Sequence, residues 1–372
     1  MNLPTIATEL ADEFRERAAE HDRTGDFPTE NYDRMRERGY LRGPVPEELG
    51  GLGAGLAETA AAQRALARGC ASTALAVNMH LFQVGAAADG FRSGGPTGPL
   101  LERIAREGIV LGSTGAEAIV AGAWTTPTTA KPDGDDAWII DGRKFFCSQA
   151  PAMDIVRINA ADAETGDILV FALPVDLPGV RIDETWDTTG MRATASHDLV
   201  LEQVRVPASA LGGRIPAASP ISHPAIANVA RWFEPLISGV YLGIAEEARS
   251  LAYASLGRGG NSRFRDSALT DVMLGELEAA FLTATSVHDQ VCAQLDTPPE
   301  DHQRGLALAV LCKQIVTEQA IAVVDKAVEL SGGSAFFRRS PIERLARDVR
   351  AARFHPPAAP VSYQVAGSRL AP

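Results

Sequence analysis

The longest stretch whose residues suggest chemistry runs from 328 to 350. An apolar run (Ile321, Val324, Val328, Leu330) ends there in Gly332-Gly333, and Phe336, Phe337, Arg338, Arg339 and Pro341 follow. A diglycine at a helix end supplies positive φ and lets the backbone approach a bound molecule closely. The plain alternative is a helix–turn–helix corner with a charged surface, because Pro341 sits where a new helix can begin. His80 is a second point of interest, the one titratable group in the otherwise apolar stretch 71–80. Most histidines so placed are satisfied core or interface residues; the functional alternative is proton transfer. Arg338, Arg339, Arg344, Arg347, Arg350 and Arg353 make a local basic cluster that suits ion pairing or a cofactor phosphate equally well. Cys70, Cys147, Cys292 and Cys312 lack metal-ligand spacing, so no metal site is expected, and scattered thiols fit a reduced, cytoplasmic protein.

The elements that must position these residues fall into three blocks. The chain has 372 residues, 45% hydrophobic and 22% charged, enough for a buried core and more than one domain. A net charge of −12 argues against nucleic acid as the main partner. No signal peptide and no apolar stretch of membrane-spanning length is visible, so no membrane partner is expected. Residues 5–40 read as two helices, the second beginning at Pro28 and ending at Gly39, and alanine- and leucine-rich helices fill 56–88. From about residue 109 the period changes to short β-rich runs broken by Asp-Gly, Pro-Gly and Thr-Gly turns, without long helical crossovers. Helical spacing returns with candidates at 224–256, 269–295, 303–330 and 342–353. The expected architecture is α+β: an N-terminal α-helical domain (1–108), a central antiparallel β domain (109–208) and a C-terminal α-helical bundle (209–372).

Several strings resemble the acyl-CoA dehydrogenase family. They are Pro46-Glu47-Glu48-Leu49-Gly50-Gly51-Leu52-Gly53, the run 71–80, Asp141-Gly142-Arg143-Lys144-Phe145-Phe146-Cys147-Ser148, Gly190-Met191-Arg192-Ala193-Thr194, and Gly332-Gly333 with its arginine-rich sequel. The resemblance covers nearly the whole chain in register, and it implies the three-domain fold with a flavin at a subunit interface of a homo-oligomer, tetramer or dimer. Carried over by position, Phe146 lies along the flavin ring, Ser148 hydrogen-bonds its N5, and Gly332 and Gly333 meet the adenosine-diphosphate part of FAD. Those residue types suit such contacts, since an aromatic excludes water from one face of a flat cofactor and a hydroxyl can donate or accept. Arg192 reads as a structural pin in its turn.

Three departures bear on function. The family's flavin- and acyl-lining segment is replaced by Ser113-Thr114-Gly115-Ala116-Glu117-Ala118-Ile119-Val120-Ala121-Gly122. A phosphate-contacting arginine string is missing after Leu256, where Arg258, Arg263 or Arg265 are substitutes. Arg339 stands where many members carry the catalytic glutamate, and an arginine stays protonated. Glu234 is the replacement base, although alignment on Leu242-Gly243 puts Phe233 at the family position and Glu234 about 100° further round the helix.

The tail 353–363, with His355, Pro360, Val361 and Tyr363, resembles flavin-dependent monooxygenases of the same fold, in which His355 and His80 match histidines near the site. The alternative for His355 is a cap on a helix C-terminus. The family resemblance implies an FAD enzyme that dehydrogenates an acyl thioester, with Glu234 as base and an electron acceptor as partner, and this reading comes first. The tail implies instead a monooxygenase using reduced flavin, FMN included, from a flavin reductase. A third reading is a degenerate member that binds flavin or an acyl thioester without turnover.

Overall fold

A computed structural model describes residues 2–114, 126–218, 222–257 and 267–370. Its first helix, α1 (Leu3–Arg15), begins where Asn2 Oδ1 accepts the Thr5 amide at 3.0 Å. Helices α2 (Ala18–Thr24) and α3 (Thr29–Glu37) follow, so three helices stand where spacing suggests two. The extra break falls at Glu16-Arg17, inside a polar run whose apolar period is too weak to mark it. Gly39 (φ +74°) ends α3 in the left-handed region that glycine favours. Helices α4 (Leu56–Gly69), α5 (Ala71–Arg92) and α6 (Gly98–Glu107) complete the first block, and α5 is buried nearly all round, as an apolar helix must be.

Strands β1 (Leu111–Thr114), β2 (Thr129–Asp133), β3 (Ala137–Cys147), β4 (Ile155–Asp162), β5 (Ile168–Pro174), β6 (Val180–Asp183), β7 (His197–Pro207) and β8 (Leu211–Ile215) form one sheet. Their order is β6-β7-β3-β2-β4-β5-β8, with β1 beside β4. The pairings are antiparallel except for those of β4 with β1 and β2, which are parallel. The sheet also runs past residue 208, because β8 pairs with β5. Gly212-Gly213 gives β8 little strand signal of its own. Burial alternates along β4, and Ile140, Val156, Phe171, Leu199 and Val204 form the core of this layer.

The C-terminal bundle comprises α7 (Pro224–Leu256), α8 (Ala268–Leu295), α9 (His302–Ser331), α10 (Pro341–Asp348) and α11 (Ala359–Leu370). Ser267 and Asp301 cap α8 and α9 through hydrogen bonds to first-turn amides. The helix expected over 342–353 is shorter: α10 stops at Asp348 and tight turns continue to Phe354. Helix α7 is the keel, packed on α4, α5, α8 and α9. At Gly243 it passes so close to α4 that an added Cβ would lie 2.2 Å from the Arg64 carbonyl oxygen. The stretch His302–Phe336 is apolar enough to cross a membrane by length and composition, and 67% of its most apolar window is buried inside the fold. Its apolar length therefore serves the core of the bundle.

Candidate functional site

The end of β3 is built to present one ring. The register between β3 and β7 slips between Lys144 and Cys147, and Phe146 takes φ +58° there. A bulky residue in that region costs on the order of 1–3 kcal/mol and survives only where its surroundings impose it. The result is an aromatic side chain left 57% exposed. Trp186 meets its ring edge-on, with centroids 5.9 Å apart, leaving the rest of Phe146 open. Two residues on, Ser148 starts a chain of hydroxyls: its Oγ lies 2.8 Å from Ser196 Oγ, which lies 2.7 Å from Thr194 Oγ1. Gln149 (φ +61°) locks the corner, accepting from Tyr32 at 2.7 Å and donating to the Leu111 carbonyl at 2.8 Å. An uncovered aromatic beside a buried hydroxyl relay that can both donate and accept fits the flat ring and polar edge of a flavin. Phe146 and Ser148 both stand at this corner, the one exposed and the other buried.

This corner is tied to the C-terminal bundle. Trp186 Nε1 and Thr194 Oγ1 both donate to the Met191 carbonyl, each at 3.0 Å, while the Met191 amide donates to Asp348 Oδ1 at 2.6 Å. Asp348 is fully enclosed, and burial raises its pKa to about 6 against the opposing pull of that amide. Arg192 donates to the carbonyls of Asp22 and Thr188, each at 2.8 Å, which makes it the structural pin that its turn suggests. Asp348 ends α10, so the turns leading to His355 start directly from this anchor.

His355 itself faces α7. Its Nε2 lies 2.5 Å from Tyr241 Oη, and burial, then the charge of Lys313, lower its pKa. Burial holds the Tyr241 phenol well above its ordinary pKa, so that hydroxyl keeps its proton. His80 sits behind the β3 corner, on the Leu111 whose carbonyl Gln149 holds, and is fully occupied. Its Nε2 lies 2.7 Å from the Leu41 carbonyl oxygen and its Nδ1 accepts the Leu111 amide at 3.0 Å. Burial lowers its pKa to about 4 and so keeps the ring neutral, while the carbonyl at Nε2 and the amide at Nδ1 put its proton on Nε2. His80 therefore brackets α5 to β1, and with both nitrogens spent it has none left for the proton relay expected of it.

Glu234 faces the core of the bundle. Phe233 meets Phe82 of α5 edge-on at 5.3 Å, so the α5-facing side of α7 is aromatic, and Glu234 is turned toward α9 and Lys313. Its Oε2 is buried without a hydrogen-bond partner, and it is 3% exposed. Desolvation raises this carboxyl, offset in part by Lys313. Above the ordinary carboxylate pKa of 4.5 the folded chain therefore holds a proton that the unfolded chain has released, and stability falls as pH rises toward neutrality. Lys313 shifts downward, so its own contribution has the opposite sign, in a window ending near 10.5. Thermal melts between about pH 5 and 8 are expected to show a falling slope in the parent that Glu234→Gln removes; equal slopes would contradict the assignment.

Gly332 (φ +60°) and Gly333 turn the chain after α9, and an added Cβ at either would meet nothing within 4 Å. Phe336 and Phe337 beside them are 90% and 52% exposed, and Arg339 stacks over Phe337 at 4.4 Å. The diglycine turn packs on α9, whereas Phe146 and Ser148 end β3, so one chain presents the two expected flavin contacts on separate elements. The segment 115–122 and Arg258, Arg263 and Arg265 lie outside the described residues. No group of three or more His, Cys, Asp or Glu among the described residues is placed to hold a metal ion.

Sequence reasoning missed Tyr241, Lys313, Trp186 and Asp348. Lys313 leaves a trace, a single cation at a core position of α9, while Asp348 belongs to the arginine-rich string without revealing that it caps the Gly190–Thr194 turn.

Family models match three stretches: acyl-CoA dehydrogenase N-terminal domain over residues 3–90, middle domain over 116–204, and C-terminal domain over 236–359. The putative acyl-CoA dehydrogenase YdbM of Bacillus subtilis is 32% identical, over 94% of this chain and 91% of its own. The L-evernosamine nitrososynthase of a Micromonospora species is 33% identical, over 95% of this chain and 84% of its own. Among solved structures, KijD3 in complex with FMN and a dTDP-amino-keto sugar superposes with a TM-score of 0.89 at 27% identity, covering 100% of this chain and 94% of that one.

Proposed function

The chain belongs to the acyl-CoA dehydrogenase family, and we propose that within it this protein is a reduced-FMN-dependent monooxygenase that oxygenates an amine nitrogen of a small molecule. The observation that carries this reading is the placement of Glu234. A dehydrogenase needs a carboxylate within reach of the proton α to its thioester. Here Arg339 occupies one family position for that base, and at the other Phe233 faces α5 while Glu234 turns into the bundle core beside Lys313. The nitrososynthase relative and the FMN-bound neighbour support the same choice.

Reduced FMN, when bound, supplies the two electrons by which one atom of dioxygen goes to the substrate nitrogen and the other leaves as water. The chain's part is positioning and proton handling. Phe146 covers one face of the ring and keeps water from it. Ser148, backed by Ser196 and Thr194, supplies a hydroxyl at the ring's polar edge. His355, neutral and paired with Tyr241, takes the proton that an amine arriving as its free base releases once oxygen bonds to its nitrogen, a step that makes the N–H acidic enough for a base of lowered pKa. A second copy covers the exposed Gly332-Gly333 and Phe336 in this reading, making the protein a homo-oligomer that draws reduced flavin from a reductase, in a reducing compartment that suits its four free cysteines.

The test is a pair of experiments, the first anaerobic and the second ending in the addition of oxygen. With short and medium acyl-CoAs, bound flavin should stay oxidised; with reduced FMN, then oxygen and a panel of small amines, the expected product is a substrate gaining one oxygen atom. Bleaching of bound flavin by an acyl-CoA would overturn the reading in favour of dehydrogenation.

A further inference from the structure

Between α7, α9 and the tail, the fold buries charge that the chemistry above does not use. Lys313 is 2% exposed, in the middle of an apolar helix. Its Nζ donates to the carbonyl oxygens of His355 and Pro357, each at 2.8 Å. Those carbonyls belong to the stretch between the turns that end at Phe354 and helix α11, where His355 is extended (φ −74°, ψ 134°). Such a stretch has no helical ladder to satisfy its acceptors, and a buried carbonyl without a donor costs about 1–3 kcal/mol; the Pro357 carbonyl also accepts from Ser362 Oγ at 3.2 Å. An ammonium is suited to this place because three protons on one nitrogen can hold two acceptors at once.

We propose that Lys313 is the positioning residue for His355: it clamps the tail at two carbonyls, so that the imidazole is held against Tyr241. The inference rests on the monooxygenase reading only for its catalytic consequence. The charges and titratable groups around the imidazole come from both long helices. Helix α7 supplies Tyr241, on Nε2, and α9 supplies Lys313. Glu234 of α7 and Glu318 of α9 face Lys313 in turn and pull its pKa upward against the lowering effect of burial. What His355 meets in addition to burial is the cation of its own clamp, which opposes a second positive charge on the ring. One lysine thereby fixes both where the imidazole stands and that it stands there neutral.

The test is pH-dependent deuterium exchange at the imidazole Cε1 proton, read by peptide mass spectrometry on the full chain without flavin. It compares the parent with Lys313→Met and Lys313→Arg. In the parent, the His355 peptide should exchange with a midpoint below the ordinary histidine value of about 6.5. Lys313→Met should raise that midpoint by about one unit or more and speed the exchange, while Lys313→Arg, which keeps the charge and donors, should stay near the parent. Where Lys313→Met alone is too unstable to study, Lys313→Met/Glu234→Gln removes both members of the charge pair and should show the same shift. An unchanged His355 midpoint in the charge-free variants would overturn the proposal. In parallel, hydrogen peroxide released per reduced FMN oxidised should rise in Lys313→Met. If the midpoint moves while peroxide release does not, Lys313 positions His355 as proposed and the oxygen-chemistry reading is the one that fails.

Discussion

Replacing His355 with alanine is expected to lower oxygenated product per reduced FMN consumed by roughly 10²–10⁴-fold, the usual worth of a positioned general acid or base. The electrons should reappear as hydrogen peroxide. The expectation starts from geometry: Nε2 lies 2.5 Å from Tyr241 Oη, and the tail that carries the ring is anchored at Asp348 before it and at Lys313 beside it. Burial and the Lys313 charge lower the imidazole pKa, so the ring is neutral at and below the pH where a free histidine would charge. The acid limb of the pH–rate profile should therefore lie below the ordinary histidine range, and it should vanish in the alanine variant. His355→Gln, which can still hydrogen-bond Tyr241 but cannot take a proton, separates the two contributions. If glutamine restores coupling, the ring's role is to hold Tyr241; if it does not, the proton is what matters. Unaltered coupling in both variants would remove His355 from the site.

How much of this could be read in the chain varies with the distance over which each feature is determined. The bounds of α7 follow from local signals, a proline at the first turn and an apolar helical period held to Leu256. The string from Asp141 to Ser148 announces itself because its residue types sit together along the chain. What it does not announce is that Phe146 adopts positive φ, because that depends on how β3 registers against β7. The rotation that takes Glu234 off the α5-facing side is simple arithmetic on a helix, and the contact between Phe233 and Phe82 bears it out. His80 is different. That its two nitrogens are both consumed depends on carbonyl and amide groups of Leu41 and Leu111, far away in sequence, and no local pattern reports them. Lys313 is intermediate, since a lone cation in an apolar period is visible but its acceptors, 42 and 44 residues further on, are not.

The largest single loss of stability is expected from Asp89→Ala. Asp89, at the end of α5, is 9% exposed, and its Oδ2 accepts from Arg231 and, at 2.6 Å, from Trp232 Nε1. Arg231, 2% exposed, also donates to the carbonyls of Leu295 and Asp296 where α8 ends, and its guanidinium lies 5.3 Å from the Trp232 ring centroid. Three helices are thus fastened by one guanidinium that only Asp89 neutralises among the ion pairs described for it. Removing the carboxylate strands a buried charge and an indole N–H together, a loss of about 3–5 kcal/mol. The charge, not the lost contacts, dominates that figure, so Arg231→Met added to Asp89→Ala should recover a good part of it even though it deletes further hydrogen bonds. Urea unfolding of the parent, both single variants and the double variant measures this directly, through midpoints at constant slope. A double variant whose loss equals the sum of the singles would mean that the pair is not coupled and that α5, α7 and α8 are held by their apolar contacts alone.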